Sequence, residues 1–445
     1  MKLTHIASAC NIIEYKGKKI LTDPWIFEDE YYGSWTHYPP INYKPEYFDD
    51  IDAIYISHIH PDHFSNSSMK YFKKNIPVLI HEYEAKFLKR NIERLGFEVI
   101  EIKHGHSYSI GNDFKIYIYA ADDCNPELCF KFHGCGKMES KFGSTSIDTM
   151  AVFETTEHSV LNVNDCPWDL SEKALERVIE KHEDITLLLV GYTGAGSYPQ
   201  CWDSYTDEEK INVHGKRKKD QFLQMGLKYI NKVNPKYYMP FAGTYTLQGP
   251  LHYLNDLRCV PELEEALEFY RSNNDFSQGL LLNSGECFNF ITASASAKYQ
   301  KINKQERDQY IKNVLSKKNF AYHKDPVPSL EELLELVPKA FSNFERKRQE
   351  LNYTSQTNIY LYLTDSKVLK ISCSDEGYEV IDEKDIKKGC FVSYKVDTRL
   401  LARILKGPRF AHWNNAEIGS HIMFDRNPDV YDRALHYCMN FFHGY

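Results

Sequence analysis

The apolar positions of this chain change period several times, and each change marks an element. "LTHIASACNIIEY" and "KKILTDP" read as two strands joined by the turn "KGK". "AIYIS" is a short β-rich run, which predicts a buried strand. A helix is expected over "SSMKYFKKN", then the strand "IPVLIH", the helix "EYEAKFLKRNIERLG" and the strand "FEVIEI". This β-α-β-α-β order predicts a layered α/β fold. Strand-type runs follow in "FKIYIYA", "TMAVFET" and "HSVLNVN". Helices over "SEKALERVIEKH" and "KKDQFLQMGLKYINKV" precede the strands "ITLLLVG" and "KYYMPF", and "QGLLLNSGECFNF" reads as a closing strand pair.

At Ala297 the composition turns charged, which divides the chain. Residues 1–296 form the first expected domain and 297–345 a helical arm or linker. "SLEELLELVPKAFSNFERKRQEL" supplies a further helix there. The strands "NIYLYLT", "KVLKIS" and "CFVSYKV" and the helix "DTRLLARILKG" predict a smaller α/β domain over 346–445. No internal repeat is present.

Composition narrows the classes. Of the 445 residues, 42% are hydrophobic and 26% charged, as in an ordinary globular protein. A net charge of -8 argues against a nucleic-acid or anionic-membrane binder. No segment is apolar enough to insert in a bilayer. The 11 cysteines are scattered and the N-terminus has no basic-then-apolar leader pattern, so a reducing, cytoplasmic setting is expected.

The candidate chemistry sits in "YISHIHPDHFS", Tyr55 to Ser65. Imidazoles suit zinc, iron and manganese, and a carboxylate beside them allows a second ion. His58 and His60 would hold one ion, and Asp62 and His63 its neighbour. Asp62 is also the candidate catalytic carboxylate. This His-x-His-x-Asp-His loop, after a strand and before a helix, resembles that of the metallo-β-lactamase superfamily. The resemblance implies an αββα sandwich with the metal site at one edge of its two sheets. It also implies a bridging carboxylate after a later strand, where "HSVLNVNDCPW" offers Asp165. A further ligand is implied after "FKIYIYA", where Asp122 is favoured and Asp123, Cys124 and His133 are rivals. A late histidine is implied after "MPFAGTY", where His252 is the candidate. His104 and His106 read as hairpin surface residues. Cys124, Cys129 and Cys135 lack the spacing of a zinc ribbon and read as small buried thiols, with Cys124 a candidate thiolate ligand.

A narrower resemblance runs through "ILTDPW", "WTHYPP", "IDTMAVFE", "LNVNDCP", "LLVGYTGAGSYP", "YYMPFAGTY" and "GLLLNSGE". In this order they are similar to the CMP-N-acetylneuraminic acid hydroxylase family over about the first two-thirds of the chain. That family hydroxylates an activated sugar and pairs this fold with a Rieske iron–sulfur domain. A Rieske centre needs two Cys/His ligand pairs, and this sequence contains none. The C-terminal stretch from Val396 is similar to sterol-carrier-like modules; Leu400, Leu401, Ile404 and Leu405 share one helical face. His412 and Trp413 would cover the metal pocket or a domain interface.

Three functions follow. The first is a di-iron oxygenase acting on a nucleotide-activated or amino sugar and served by a separate electron carrier. The second is a metal-dependent hydrolase of a phosphoester, amide or lactone, with zinc as the alternative metal. The third is a non-catalytic binding protein on the same fold. In "GYTGAGSYP", glycines let backbone approach a ligand, and Tyr192 could stack on a sugar ring, with Trp35 in the opposite wall.

Overall fold

The structure is a computed structural model describing residues 1–125, 127–128, 148–243, 245–374, 376–387 and 389–445. His133, Cys129 and Cys135 lie outside these. Two large sheets face each other. The first runs, edge to edge, Ser294–Ala295, Cys287–Asn289, Lys2–Ala7, Cys10–Tyr15, Lys18–Thr22, Ala53–Tyr55, Val78–His81 and Val99–Ile102. The second runs Gln278–Gly279, Tyr237–Phe241, Leu187–Gly191, Ser159–Asn162, Thr149–Glu154, Lys115–Ala120 and Ser107–Ser109.

Side-chain alternation along the strands sorts the core into layers. Leu3, Ile13, Ala53, Tyr55 and Leu79 of the first sheet meet Ile116, Ile118, Phe153, Leu187 and Leu189 of the second. The opposite face of the first sheet, with Ile54, Val78 and Ile80, packs on Met69, Phe72, Leu88 and Ile92. The opposite face of the second, with Val152, Leu161 and Leu188, packs on helices Trp168–Lys181, Lys216–Val233 and Leu263–Asn273. The order of layers is therefore helix, sheet, sheet, helix, as expected.

Two details differ from the sequence reading. "LTHIASACNIIEY" is not one strand but two, Lys2–Ala7 and Cys10–Tyr15, because Ser8 turns the chain at φ 48°. "QGLLLNSGECFNF" does not form a pair: Gln278–Gly279 joins the second sheet, and Cys287–Asn289 crosses to the first beside Lys2–Ala7.

The C-terminal part carries a five-stranded sheet in the order Tyr378–Asp382, Lys367–Ser372, Asn358–Tyr362, Phe391–Val396 and Ile422–Asn427. Leu333, Val337, Ala340 and Phe344 of helix Leu330–Glu350 pack against it, so this helix is part of that layer rather than an arm. Helix Thr398–Lys406 adds Leu400, Leu401, Ile404 and Leu405. The same core continues into Trp25, Tyr31, Trp35, Trp202 and Tyr245 of the first part without a break.

Candidate metal centre

Strand direction decides where the candidate residues meet. Lys18–Thr22, Ala53–Tyr55 and Val78–His81 are parallel, so Asp23, the His58–His63 loop and His81 leave the first sheet at one edge. In the second sheet, Lys115–Ala120 and Ser159–Asn162 both run antiparallel to Thr149–Glu154. Asp122, Asp148 and Asp165 thus emerge at the ends of those strands on a common side. The Thr149 hydroxyl donates to the Ser57 carbonyl at 2.7 Å and ties the two edges together.

There the donor atoms converge. His58 Nε2 and His60 Nδ1 are 3.0 Å apart. His63 Nε2 is 3.5 Å from carboxylate oxygens of both Asp62 and Asp165. His58 Nε2 lies 3.8 Å from Asp148 Oδ1. Ligand atoms of His58, His63 and Asp165 all fall within 4.8 Å of one another. Asp165 is the accessible member, its side chain 35% exposed.

The outward ring atoms are held by partners that fix their tautomers. His63 Nδ1 donates to Asp23 Oδ2 at 3.0 Å, leaving Nε2 to face the centre. Asp23 is buried and accepts the Ser57 N–H and O–H at 2.7 and 2.8 Å. His60 Nε2 is 3.3 Å from Asn414 Oδ1, contributed by the C-terminal helix Trp413–Ile418. The Tyr31 hydroxyl donates to Asp62. Asp23 has φ 41°, Asn164, just before Asp165, has φ 46°, and Tyr31 has φ 49°. Such strained left-handed positions recur where a site is held in one geometry.

The electrostatics are those of crowded, buried donors. Burial, with neighbouring imidazoles, pushes the pKa of His58 well below its ordinary value; burial lowers that of His60 too, against the pull of Asp62 and Asp165. Burial opposes charge on His63 as well, but the carboxylates of Asp165, Asp62 and Asp23 outweigh it and raise its pKa. Burial first, then the charge of Asp165, pushes Asp148 up to about 8. Two neutral imidazoles can share one N–H at 3.0 Å, and the same nitrogens beside carboxyls that resist ionising together are donors that a metal ion could take up. The donor set therefore suits metal: His58, His60, His63, Asp62 and Asp165, with Asp122 and Asp148 beside them.

Not every sequence candidate arrives here. Asp122 is buried at the end of its strand and raises the pKa of Asp148 by its charge. Asp123 turns away to Arg177, at 2.6 Å, and to His104, at 3.2 Å. His252 bonds the Gly249 carbonyl within the 3-10 turn Gly249–Leu257 and belongs to no candidate metal group among the described residues. His104 is half-buried rather than a surface residue, because Tyr119 and His81 pack on its ring. Trp35 and Tyr192 are each 2% exposed, so neither is an open wall. Trp35 stacks on Tyr245 at 3.3 Å and backs Tyr31 at 4.4 Å.

A second group, His81, His104 and Cys124, also gathers three donor atoms. The Ala120 N–H donates to His104 Nδ1 at 3.0 Å, so the ring proton sits on Nε2 and points at Asp123. His104 is thereby a donor there, not a ligand. Burial also pushes the Cys124 thiol up to about 12.

Asp23, Asp148, Tyr31 and Asn414 were not singled out from the sequence. The only signal was the position of Asp23 and Asp148 next to strands. Asp23→Asn keeps the shape but removes the charge behind His63. Metal affinity should fall about 10–100-fold, as for other residues that orient a ligand. A chelator competition titration reads this, and unchanged affinity would reduce Asp23 to a packing role.

The family match agrees with this fold. Residues 2–135 match the beta-lactamase superfamily domain. A Mycolicibacterium smegmatis protein whose name carries the words Rieske 2Fe-2S iron-sulfur protein is 27% identical over 58% of this chain and 46% of its own length. The cytidine monophosphate-N-acetylneuraminic acid hydroxylase of Mus musculus is 23% identical over 62% of this chain and 44% of its own. The chain thus spans about half the length of the curated relatives it matches. Among solved structures, an isothiocyanate hydrolase from Delia radicum gut bacteria aligns with 65% of this chain and 99% of its own, at 17% identity and TM-score 0.45. No helix among the described residues is long and apolar enough to cross a membrane.

Proposed function

From a chain whose residues 2–135 carry a beta-lactamase superfamily domain, we propose a metal-dependent enzyme with a dinuclear centre, an iron oxygenase that hydroxylates a nucleotide-activated or amino sugar. The observation that carries this reading is the oxygen-rich donor set. Three imidazoles share the basin with the carboxylates of Asp62, Asp148 and Asp165, and Asp122 adds charge at its side. Mixed imidazole and carboxylate ligation suits iron and zinc alike; iron is proposed because a hydroxylase stands among the relatives. The sugar substrate is supported by the hydroxylases among the relatives.

His58 through Nε2, His60 through Nδ1 and His63 through Nε2 would hold the ions together with Asp62 and Asp165. Bound iron would supply activation of dioxygen at the expense of two electrons. The residues around it do the positioning. Asp23 and Asn414 fix the rings of His63 and His60, and the Tyr31 hydroxyl holds Asp62 in place. The accessible side of Asp165 leaves room for substrate. No cysteine of this sequence has a histidine one or two residues after it, so the electrons would come from a separate carrier.

The same imidazole and carboxylate set also suits zinc, which gives the second reading, a hydrolase needing no electrons, in which the bound ions would supply an activated water for attack on a phosphoester, amide or lactone. Anaerobic purification with metal quantification separates the two. Two irons per chain, and turnover that needs oxygen with either a ferredoxin and reductase or a chemical reductant, are expected. Two zincs, or full turnover without reductant, would establish hydrolysis instead.

A further inference from the structure

Away from the metal centre, a cavity of about 200 Å³ opens between the segment Gly243–Glu262 and helix Lys304–Asn313. Tyr38 and Tyr192 line it, with Pro261 and Ile311. Four cations also face it: Lys219, Arg258, Lys304 and Arg307. Three of them are matched by carboxylates. Lys219 pairs with Glu265 at 3.0 Å, Lys304 with Asp308 at 2.6 Å, and Arg307 holds Glu262 through two bonds of 2.9 and 3.1 Å.

Arg258 is different. Its side chain is 7% exposed, and no carboxylate among the described residues lies within ion-pair distance of it. One guanidinium nitrogen donates to the Tyr245 carbonyl, the guanidinium lies over the Tyr245 ring at 3.5 Å, and Nε has no partner. A buried lysine, Lys218, stands behind it, its pKa pulled down to about 7 by burial and by the charge of Arg258. Lys218 donates to the Tyr198 and Arg258 carbonyls, with no carboxylate bonded to it among the described residues. Arg258 feels the charge of Glu262, which Arg307 already holds, but bonds no carboxylate of its own among the described residues, and an incompletely matched buried charge is costly. An arginine fork is the side chain best shaped to take a planar or tetrahedral oxyanion.

The cavity is also walled off from the metal. Tyr245 is sandwiched between Arg258 and Trp35, and Trp35 packs on Tyr31, which bonds Asp62. Three aromatic rings therefore stand between Arg258 and the centre.

We propose that this cavity is a second small-molecule site, taking an oxyanion group, a phosphomonoester or a carboxylate, carried on a flat or compact organic body, with Arg258 as its anchor and Tyr38 as its wall. It is independent of the reaction assigned to the metal centre.

The test is calorimetric titration of the full-length, metal-loaded protein with phenyl phosphate, benzoate and phenol, which share a ring and differ in charge. At least one of the two anions binds and phenol does not; which anion binds more tightly identifies the natural head group. Arg258→Met weakens that binding at least about tenfold, the scale of a lost charged hydrogen bond. Ile311→Trp, which fills the cavity and leaves Arg258 in place, weakens it likewise, so the result does not hang on how the arginine variant folds. Asp165→Ala, at the metal centre, leaves it unchanged. Absence of binding by both anions at millimolar concentration overturns the proposal. So does binding that survives Arg258→Met and Ile311→Trp, or that disappears with Asp165→Ala, because the anion would then be sitting on the metal.

Discussion

Replacing Asp165 with alanine should strip the centre of at least one ion and lower turnover about a thousandfold or more. The size follows from what a metal ion contributes to charge stabilisation in a transition state, several kcal/mol, at tenfold in rate per ~1.4 kcal/mol. The direction follows from position. Asp165 is the carboxylate that His63 Nε2 faces at 3.5 Å, and it shares that nitrogen with Asp62 on the other side. If Asp165 serves the ions as proposed, its loss should loosen them. Its side chain is 35% exposed, and the fold should survive the change. Metal analysis and turnover on the same sample check this. Full occupancy with unchanged turnover would remove Asp165 from the ligand set.

Trp413→Ala should cost stability on the scale of large-to-small changes in a packed core, about 3–5 kcal/mol. Trp413 is buried, its Nε1 donates to the Phe442 carbonyl at 2.9 Å, and its ring meets Tyr394. It also begins the helix that carries Asn414 to His60. Denaturant unfolding should therefore show a loss of stability together with weaker metal retention. The joint effect is diagnostic, because an ordinary core residue would change stability alone. If stability falls while metal affinity stays the same, the C-terminal helix is a lid without influence on the centre.

The sequence was most legible where the physics is local. An apolar run ending in His58, His60, Asp62 and His63 announces a strand and a donor loop at once, because strand ends are where side chains can turn inward. The helices over Trp168–Lys181 and Lys216–Val233 were readable from their apolar period. What stayed hidden depends on distance along the chain. Asp23 meets Ser57 across 34 positions, and Tyr31 meets Asp62 across 31. Nothing in the composition around Asp23 separates a carboxylate that orients a histidine from one that ends a strand. Trp35 and Tyr192 misled for a related reason. An aromatic in a Gly- or Pro-rich loop reads as a binding wall, but the area it buries makes a core position just as favourable. The turn at Ser8 escaped because a left-handed serine carries no mark in the sequence.

The contact between His60 and Asn414 spans 354 residues of chain. During synthesis at about 5–20 residues per second, that separation corresponds to roughly 20–70 s between the two halves of one hydrogen bond. For that interval the nascent chain has its histidine loop but not the helix beside it. Trp25, Tyr31 and Trp35, which end in one core with Leu400, Leu405 and Trp413, have no C-terminal partner to pack on. Exposed aromatics of this size in an incomplete chain favour aggregation. Contacts this far apart also slow folding, since the closure entropy must be met before they form. The continuous core that steadies the finished molecule therefore delays its assembly, and the histidine loop gains its outer support only once helix Trp413–Ile418 has been made.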